Sequence, residues 1–343
     1  MSWEIVSNKI RYLTKTQKQK RRVKIMSEES IKANDTMQAS PDVAEAEKTT
    51  EETVKVKSEA VEEKKNRKDK KKKNKHAFLE KYPVAYVLLH MLWAVIFVEG
   101  LGAVVFGSIF EAFGLPMTLG AVIGGLIYLV CHAKRYKPEY VGNFKGGNNA
   151  LGFRLATFMA IYWAYIFIQT FTRGEFAAPN IETISNALMA GVAEEVIFRL
   201  IPVSCFMRQW RDEKKIPIVL AISAITFGLI HLANIKGGAP IPITIMQVVG
   251  AGLMGVIFCA VYLRSGNILI PMLMHFITDF VCFMDSTQVG DGGVMIAKIS
   301  FINFVDVAVC IVLAVIGIYL VRPAKRAEII ALWDKKFSRS NAN

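Results

Sequence analysis

The 343-residue chain contains no CxxC pair, and its five cysteines (Cys131, Cys205, Cys259, Cys282 and Cys310) are scattered through apolar segments. That spacing supports neither a disulfide framework nor a zinc–thiolate site and leaves the thiols as small buried hydrophobes. There is no HExxH motif, so a zinc site would need ligands drawn from separate segments. The first residues lack a continuous apolar run and stay basic to Lys24, which argues against a cleaved signal peptide. No internal repeat or pair of broken helices of transporter type is evident. The apolar segments also lack the alternation of barrel strands. Up to about Lys81 the chain is polar, charged and poor in aromatics, with almost nothing to bury.

From Pro83 onward the character reverses. Apolar segments of the length needed to cross a hydrocarbon core, roughly 17–25 residues, follow one another. Eight spans are expected, at about 84–110, 116–132, 152–171, 184–206, 216–234, 241–263, 267–284 and 299–321. The first bears Gly100, Gly102 and Gly107 and is expected to be tilted or broken. Because lipid leaves no alternative partner for backbone groups, these spans should be helices. The expected fold is an all-α polytopic membrane bundle of about eight transmembrane helices, occupying 82–324. A disordered basic N-terminal tail (1–81) and a short basic tail (325–343) flank it. Residues 28–63 read as disordered, and residues 3–13 as disordered or as a short surface-bound helix. The Lys/Arg run from Lys64 to Lys75 is suited to anionic lipid headgroups. The net charge of +13 therefore points to a membrane surface and topology signals rather than to nucleic acid.

Loop charges alternate. Lys134, Arg135, Lys137 and Lys145, then Arg208, Arg211, Lys214 and Lys215, then Arg264, fall on one side. The same side receives Arg322, Lys325, Arg326, Lys335 and Lys336. The opposite loops hold Arg173, Lys236 and Lys298 beside Glu111, Glu175, Asp285 and Asp291. By the positive-inside rule both termini are cytoplasmic, in a cell membrane or an endoplasmic reticulum membrane.

Against this background a few polar residues stand out. Charged side chains at the bilayer centre cost about 2.5–3.5 kcal/mol each on insertion scales, so those that persist usually have a use. The fourth span holds Glu194, Glu195 and Arg199, the fifth Phe227 and His231, and the seventh His275 and Asp279. Glu195 and Arg199 stand four apart with the acid first, the favoured order for a helical ion pair. Glu194 is rotated by about 100° from Glu195 and is expected to face a cavity as a general base. Phe227/His231 and His275/Asp279 are also four apart, each pair on one helix face. Cys205 lies about 16 Å along the axis from Glu194, too far for direct proton exchange. Glu99 in the first span is either site-lining or a bundle hydrogen-bonding group, while His90 reads as structural and Asp306 as close to a span end.

Glu194-Glu195-Val-Ile-Phe198-Arg199, Phe227-Gly-Leu-Ile-His231 and His275-Phe-Ile-Thr-Asp279 resemble the motifs EExxxR, FxxxH and HxxxN/D. These mark the CAAX protease and bacteriocin-processing (CPBP, or Abi) family of intramembrane endopeptidases, which includes the Ras-converting CAAX endopeptidase. The resemblance covers 193–279 closely and implies a protease acting on membrane-associated or lipidated peptides or proteins, without a metal or other cofactor. It implies Glu194 and His231 as the water-activating pair, His275 and the residue at 279 as oxyanion stabilisers, and Glu195 with Arg199 as support. Eukaryotic CAAX proteases usually carry Asn where this chain has Asp279. An ionised carboxylate would repel an oxyanion, so Asp279 is either protonated or orients His275. A zinc-dependent membrane protease, a non-catalytic scaffold or immunity factor, and a proton-relay transporter are the competing readings.

Overall fold

The computed structural model describes residues 77–136, 144–285 and 300–337. The expectations for the N-terminal tail before residue 77, for the ends of two loops (Lys137, Asp291, Lys298) and for 338–343 lie outside the described residues. The fold is helical, with helices at all eight expected places: α1 (Pro83–Ala112), α2 (Thr118–Arg135), α3 (Asn149–Thr172), α4 (181–209), α5 (Ile216–Ile230), α6 (Ile241–Ser265), α7 (Leu269–Cys282) and α8 (Phe301–Leu320). A ninth, α9 (Pro323–Lys336), follows. Among the described residues, α1, α3, α6, α8 and the segment Glu213–Lys236 around α5 are long and apolar enough to cross a membrane. Many Leu, Ile and Phe side chains on the outer surface are exposed, as expected of a surface solvated by lipid tails. The protein is an integral membrane protein.

Local sequence sets the ends. Pro83, Pro217, Pro242 and Pro323 sit in first turns, where a missing N–H costs nothing. Asn148 Oδ1 accepts from the Leu151 amide at 3.0 Å, and Asn180 with Thr183 forms a capping box at the start of α4. α1 is helical throughout rather than broken, and its glycine-bearing stretch is π-helical over Ile96–Phe106. At 30 residues it exceeds what a core of about 30 Å requires. α7 is the opposite case, a helix of only 14 residues.

α6 is the hub. Nearly every residue from Met254 to Ser265 is buried, and α6 packs against both α5 and α8. α4 packs on α7 at a distance that only glycine permits. A Cβ on Gly191 would lie 2.8 Å from the Met272 carbonyl oxygen and 2.9 Å from the Phe276 Cβ. That close approach brings the acids of α4 to His275 of α7.

Candidate active site

α4 departs from regular α-helix around its charged residues. Ala190–Glu194 and Val196–Leu200 are π-helical, a distortion often found at functional sites. Pro202 supplies a local cause: it has no N–H for the Phe198 carbonyl, which instead accepts from Ser223 Oγ of α5. The two neighbouring acids end in different surroundings. The Glu195 side chain is fully buried, whereas that of Glu194 is 20% exposed on a cavity.

Glu195 is held from two sides. Its Oε1 lies 2.8 Å from Arg199 Nη1 and 2.8 Å from His275 Nδ1. A carboxylate can only accept, so Nδ1 carries a proton and the ring's Nε2 faces the opposite way. There it lies 3.9 Å from Glu194 Oε2 and 3.6 Å from Asp279 Oδ1. These separations suit a water or a substrate oxygen lodged between the groups better than a direct bond.

Phe227 links the parts. The Arg199 guanidinium lies over its ring at 3.8 Å and near the Phe258 ring at 5.3 Å, so aromatic faces cover the cation that Glu195 pairs. The Phe227 ring is edge-on to His231 (5.2 Å between centroids) and to His275 (5.4 Å). Gly255 of α6 makes room for this stack, since a Cβ there would fall 3.2 Å from both Arg199 Nη2 and Phe227 Cδ1. His231, at the C-terminal end of α5, donates from Nδ1 to the Phe227 carbonyl at 2.9 Å. With Nδ1 committed to that carbonyl, Nε2 is the ring nitrogen left for another partner.

Glu194, Phe227, His231, His275 and Asp279 line one cavity of about 560 Å³. Of the residues singled out in the sequence, Glu195 and Arg199 sit behind the cavity wall, and Glu99 lines it. His90 lies elsewhere, stacked on His132 with ring centroids 5.7 Å apart. Among the described residues no group of three or more His, Cys, Asp or Glu is arranged to hold a metal ion.

Several cavity residues escaped sequence reading. Asn186 lies two turns before Glu194 on the same span. Thr278 accepts from Trp163 Nε1 at 2.9 Å, and Asn234 donates to Gln247 Oε1 at 2.8 Å. Asp306, noted only as close to a span end, receives the Tyr165 hydroxyl at 3.0 Å. In-span amides were the available signal, but nothing in their spacing assigns them to a common wall.

Residues 176–281 match the family described as type II CAAX prenyl endopeptidase, Rce1-like. No curated protein and no solved structure matches the chain. The matched segment runs from just before α4 almost to the end of α7 and contains every residue of the three motifs. The acids and histidines gathered on the cavity all lie in the segment that is similar to the Rce1-like family of type II CAAX prenyl endopeptidases, a match that spans under a third of the chain.

Proposed function

We propose that the protein is an intramembrane endopeptidase that hydrolyses peptide bonds of membrane-associated or lipidated substrates with a water activated by Glu194 and His231. The observation that carries this reading is the split between the two adjacent acids. Glu195 is committed to Arg199 and His275, while Glu194 faces the cavity beside the free edge of the His275 ring.

Glu194 takes a proton from water as the water oxygen forms its bond to the scissile carbonyl carbon. His231, with its Nε2 toward the cavity, positions that water. The carbonyl π electrons move onto oxygen, and His275, as an imidazolium protonated on both nitrogens, donates from Nε2 to the resulting oxyanion. Asp279, 3.6 Å from His275 Nε2, acts on the imidazole rather than on the oxyanion. Collapse of the tetrahedral intermediate breaks the C–N bond, and Glu194 returns its proton to the leaving amine. No step requires a metal.

The test compares C-terminal and internal cleavage products in cells carrying the wild-type or the Glu194→Gln protein. Product termini should disappear in the variant while membrane insertion and thermal stability persist. Undiminished cleavage by Glu194→Gln overturns the mechanism. Activity should also survive thorough chelation; loss restored by Zn²⁺ alone would replace this reading with a metalloprotease.

A further inference from the structure

Two amides stand beside His231 and take no part in the reaction described above. α5 ends at His231 and the chain turns there. The Asn234 N–H donates to the His231 carbonyl at 3.0 Å, and the Ala239 N–H donates to the Asn234 carbonyl at 3.0 Å. A turn of the first kind keeps the Cα atoms of its outer residues within about 7 Å, so Asn234 stands next to the proposed water-activating imidazole. Its side chain reaches across to α6, where Nδ2 donates to Gln247 Oε1 at 2.8 Å. Both residues are half-buried and line the cavity.

The pair is left open. Two such amides can close a ring with two hydrogen bonds, but one bond joins these, and no other engages either side chain among the described residues. Asn234 Oδ1 can therefore still accept and Gln247 Nε2 can still donate. Exchanging O for N in both amides would leave the same complement. An extended peptide asks for that complement, because each residue turns its N–H and its C=O to one side. α6 adds an independent sign. Gln247 is the one polar residue with which α6 lines the cavity among the described residues. On the same wall, three residues further on, a Cβ added to Gly250 would meet nothing within 4 Å, and the small Ala251 follows. The cavity-lining stripe continues through Met254 to Phe258, whose ring centroid lies 5.2 Å from that of His275. A strip with room for close backbone approach thus leads from the amide pair toward the catalytic histidines. An amide pair that only joined two helices would need neither the open hydrogen bonds nor the gap.

We propose that Asn234 and Gln247 form a backbone clamp that holds one residue of the bound peptide extended beside the scissile bond, Asn234 accepting its N–H and Gln247 donating to its C=O. Because peptide groups make the contact, the clamp sets register without selecting side chains. Its part in cleavage rests on the hydrolytic reading above; the binding it provides does not. The test uses full-length Glu194→Gln protein in lipid nanodiscs, so that the ligand stays intact. The probe is a fluorescent peptide ending in a prenylated cysteine followed by three residues. Its backbone amides other than the scissile one are replaced singly by esters, which deletes one N–H and leaves every side chain in place. One ester should weaken binding at least fivefold and the others less than twofold. Adding Asn234→Leu should weaken the all-amide peptide about fivefold and abolish the extra loss at the sensitive ester. Gln247→Met, which leaves the turn after His231 intact, should also weaken the all-amide peptide. A merely structural amide pair would lower the affinity of every peptide by one common factor and preserve the ester pattern. That result overturns the proposal, as does the absence of a sensitive ester, whether or not the all-amide peptide binds. Wild-type protein is assayed for cleavage of the all-amide peptide. An ester pattern that depends on Asn234 without any cleavage removes only the hydrolytic reading, whereas cleavage with a pattern indifferent to Asn234 removes only the clamp.

Discussion

The two ends of the bundle are built on opposite principles. At the end carrying α9, buried side chains of that helix seal the surface and most polar groups are paired, with His132 Nδ1 and Arg264 Nε the buried exceptions among the described residues. Trp333, 1% exposed, donates from Nε1 to the Leu263 carbonyl at 2.9 Å. Arg264 meets Glu328 and Arg211 meets Asp334, each at 3.0 Å, and His132 Nε2 lies 2.7 Å from Ser204 Oγ. At the other end α3, α5 and α7 finish, α4, α6 and α8 begin, and the cavity gathers carboxyls and amides whose pairing is incomplete. Between the ends lies the buried Glu195–Arg199–His275 layer. The difference teaches where to look for chemistry in a helical membrane protein. Fuller pairing marks scaffold, and a cluster of acceptors left over marks the place where a ligand or water supplies the partner.

The largest effect should come from the dividing layer. Arg199→Met leaves the fully buried Glu195 carboxylate without its cation, and breaking such a pair from one side costs about 3–5 kcal/mol. The thermal inactivation temperature in detergent should fall steeply and cleavage should be lost. Adding Glu195→Gln to Arg199→Met should recover part of the stability, because the uncompensated charge is gone, but not the activity, because His275 has lost the carboxylate that holds its Nδ1–H. Wild-type stability in Arg199→Met would mean that this layer does not separate the two ends.

The sealed end predicts a different pattern. Trp333→Ala removes a buried indole at a cost of about 3 kcal/mol and should release α9. Hydrogen exchange in 323–336 should rise, while kcat/KM below the melting temperature stays within about twofold. A large fall in kcat/KM would show that the ends are coupled rather than merely different.

A smaller change targets the aromatic stack. Gly255→Ala forces a methyl group to within 3.1 Å of Ala224 Cα and 3.2 Å of the Arg199 guanidinium. Overpacking of this kind costs about 1–3 kcal/mol. Cleavage should fall more than stability does, because Arg199 and Phe227 both set the two imidazoles. Equal activity at reduced stability would make the stack a packing device only.

Much of this was legible in the sequence and some was not, for reasons that differ by residue. The eight helices could be read because lipid forces apolar segments into helices, and the Glu195–Arg199 pairing because spacing of four fixes a shared face. The bond from Glu195 to His275 could not be read, since it joins residues eighty apart in the chain through a helix contact that spacing does not encode. The π-helical turns of α4 had one visible cue, Pro202 inside an apolar span. α9 reads from its charge as part of a basic tail, yet Ile329, Trp333 and Phe337, four apart and all buried, are the apolar stripe of a packed helix. Glu99 and Asp306 could be located in their spans, but not on a common cavity with Glu194.

The gentlest probe of the comparison is pH, at the sealed end. Lys336 is buried and donates from Nζ to the Lys145 carbonyl at 2.9 Å; burial lowers its pKa from 10.5 to about 8. A base whose folded pKa lies below its unfolded value binds fewer protons when folded, so stability rises with pH between those two values. Docking of α9 should therefore tighten from about pH 8 toward pH 10, with a slope of at most about 1.4 kcal/mol per pH unit. Hydrogen exchange of 323–336, corrected for its intrinsic pH dependence, should show protection increasing with pH in the wild type and flat in Lys336→Met. Protection that falls through the same window would mean that the ammonium form is the one the docked helix prefers, and that the sealed end, like the cavity end, leaves its polar pairing incomplete.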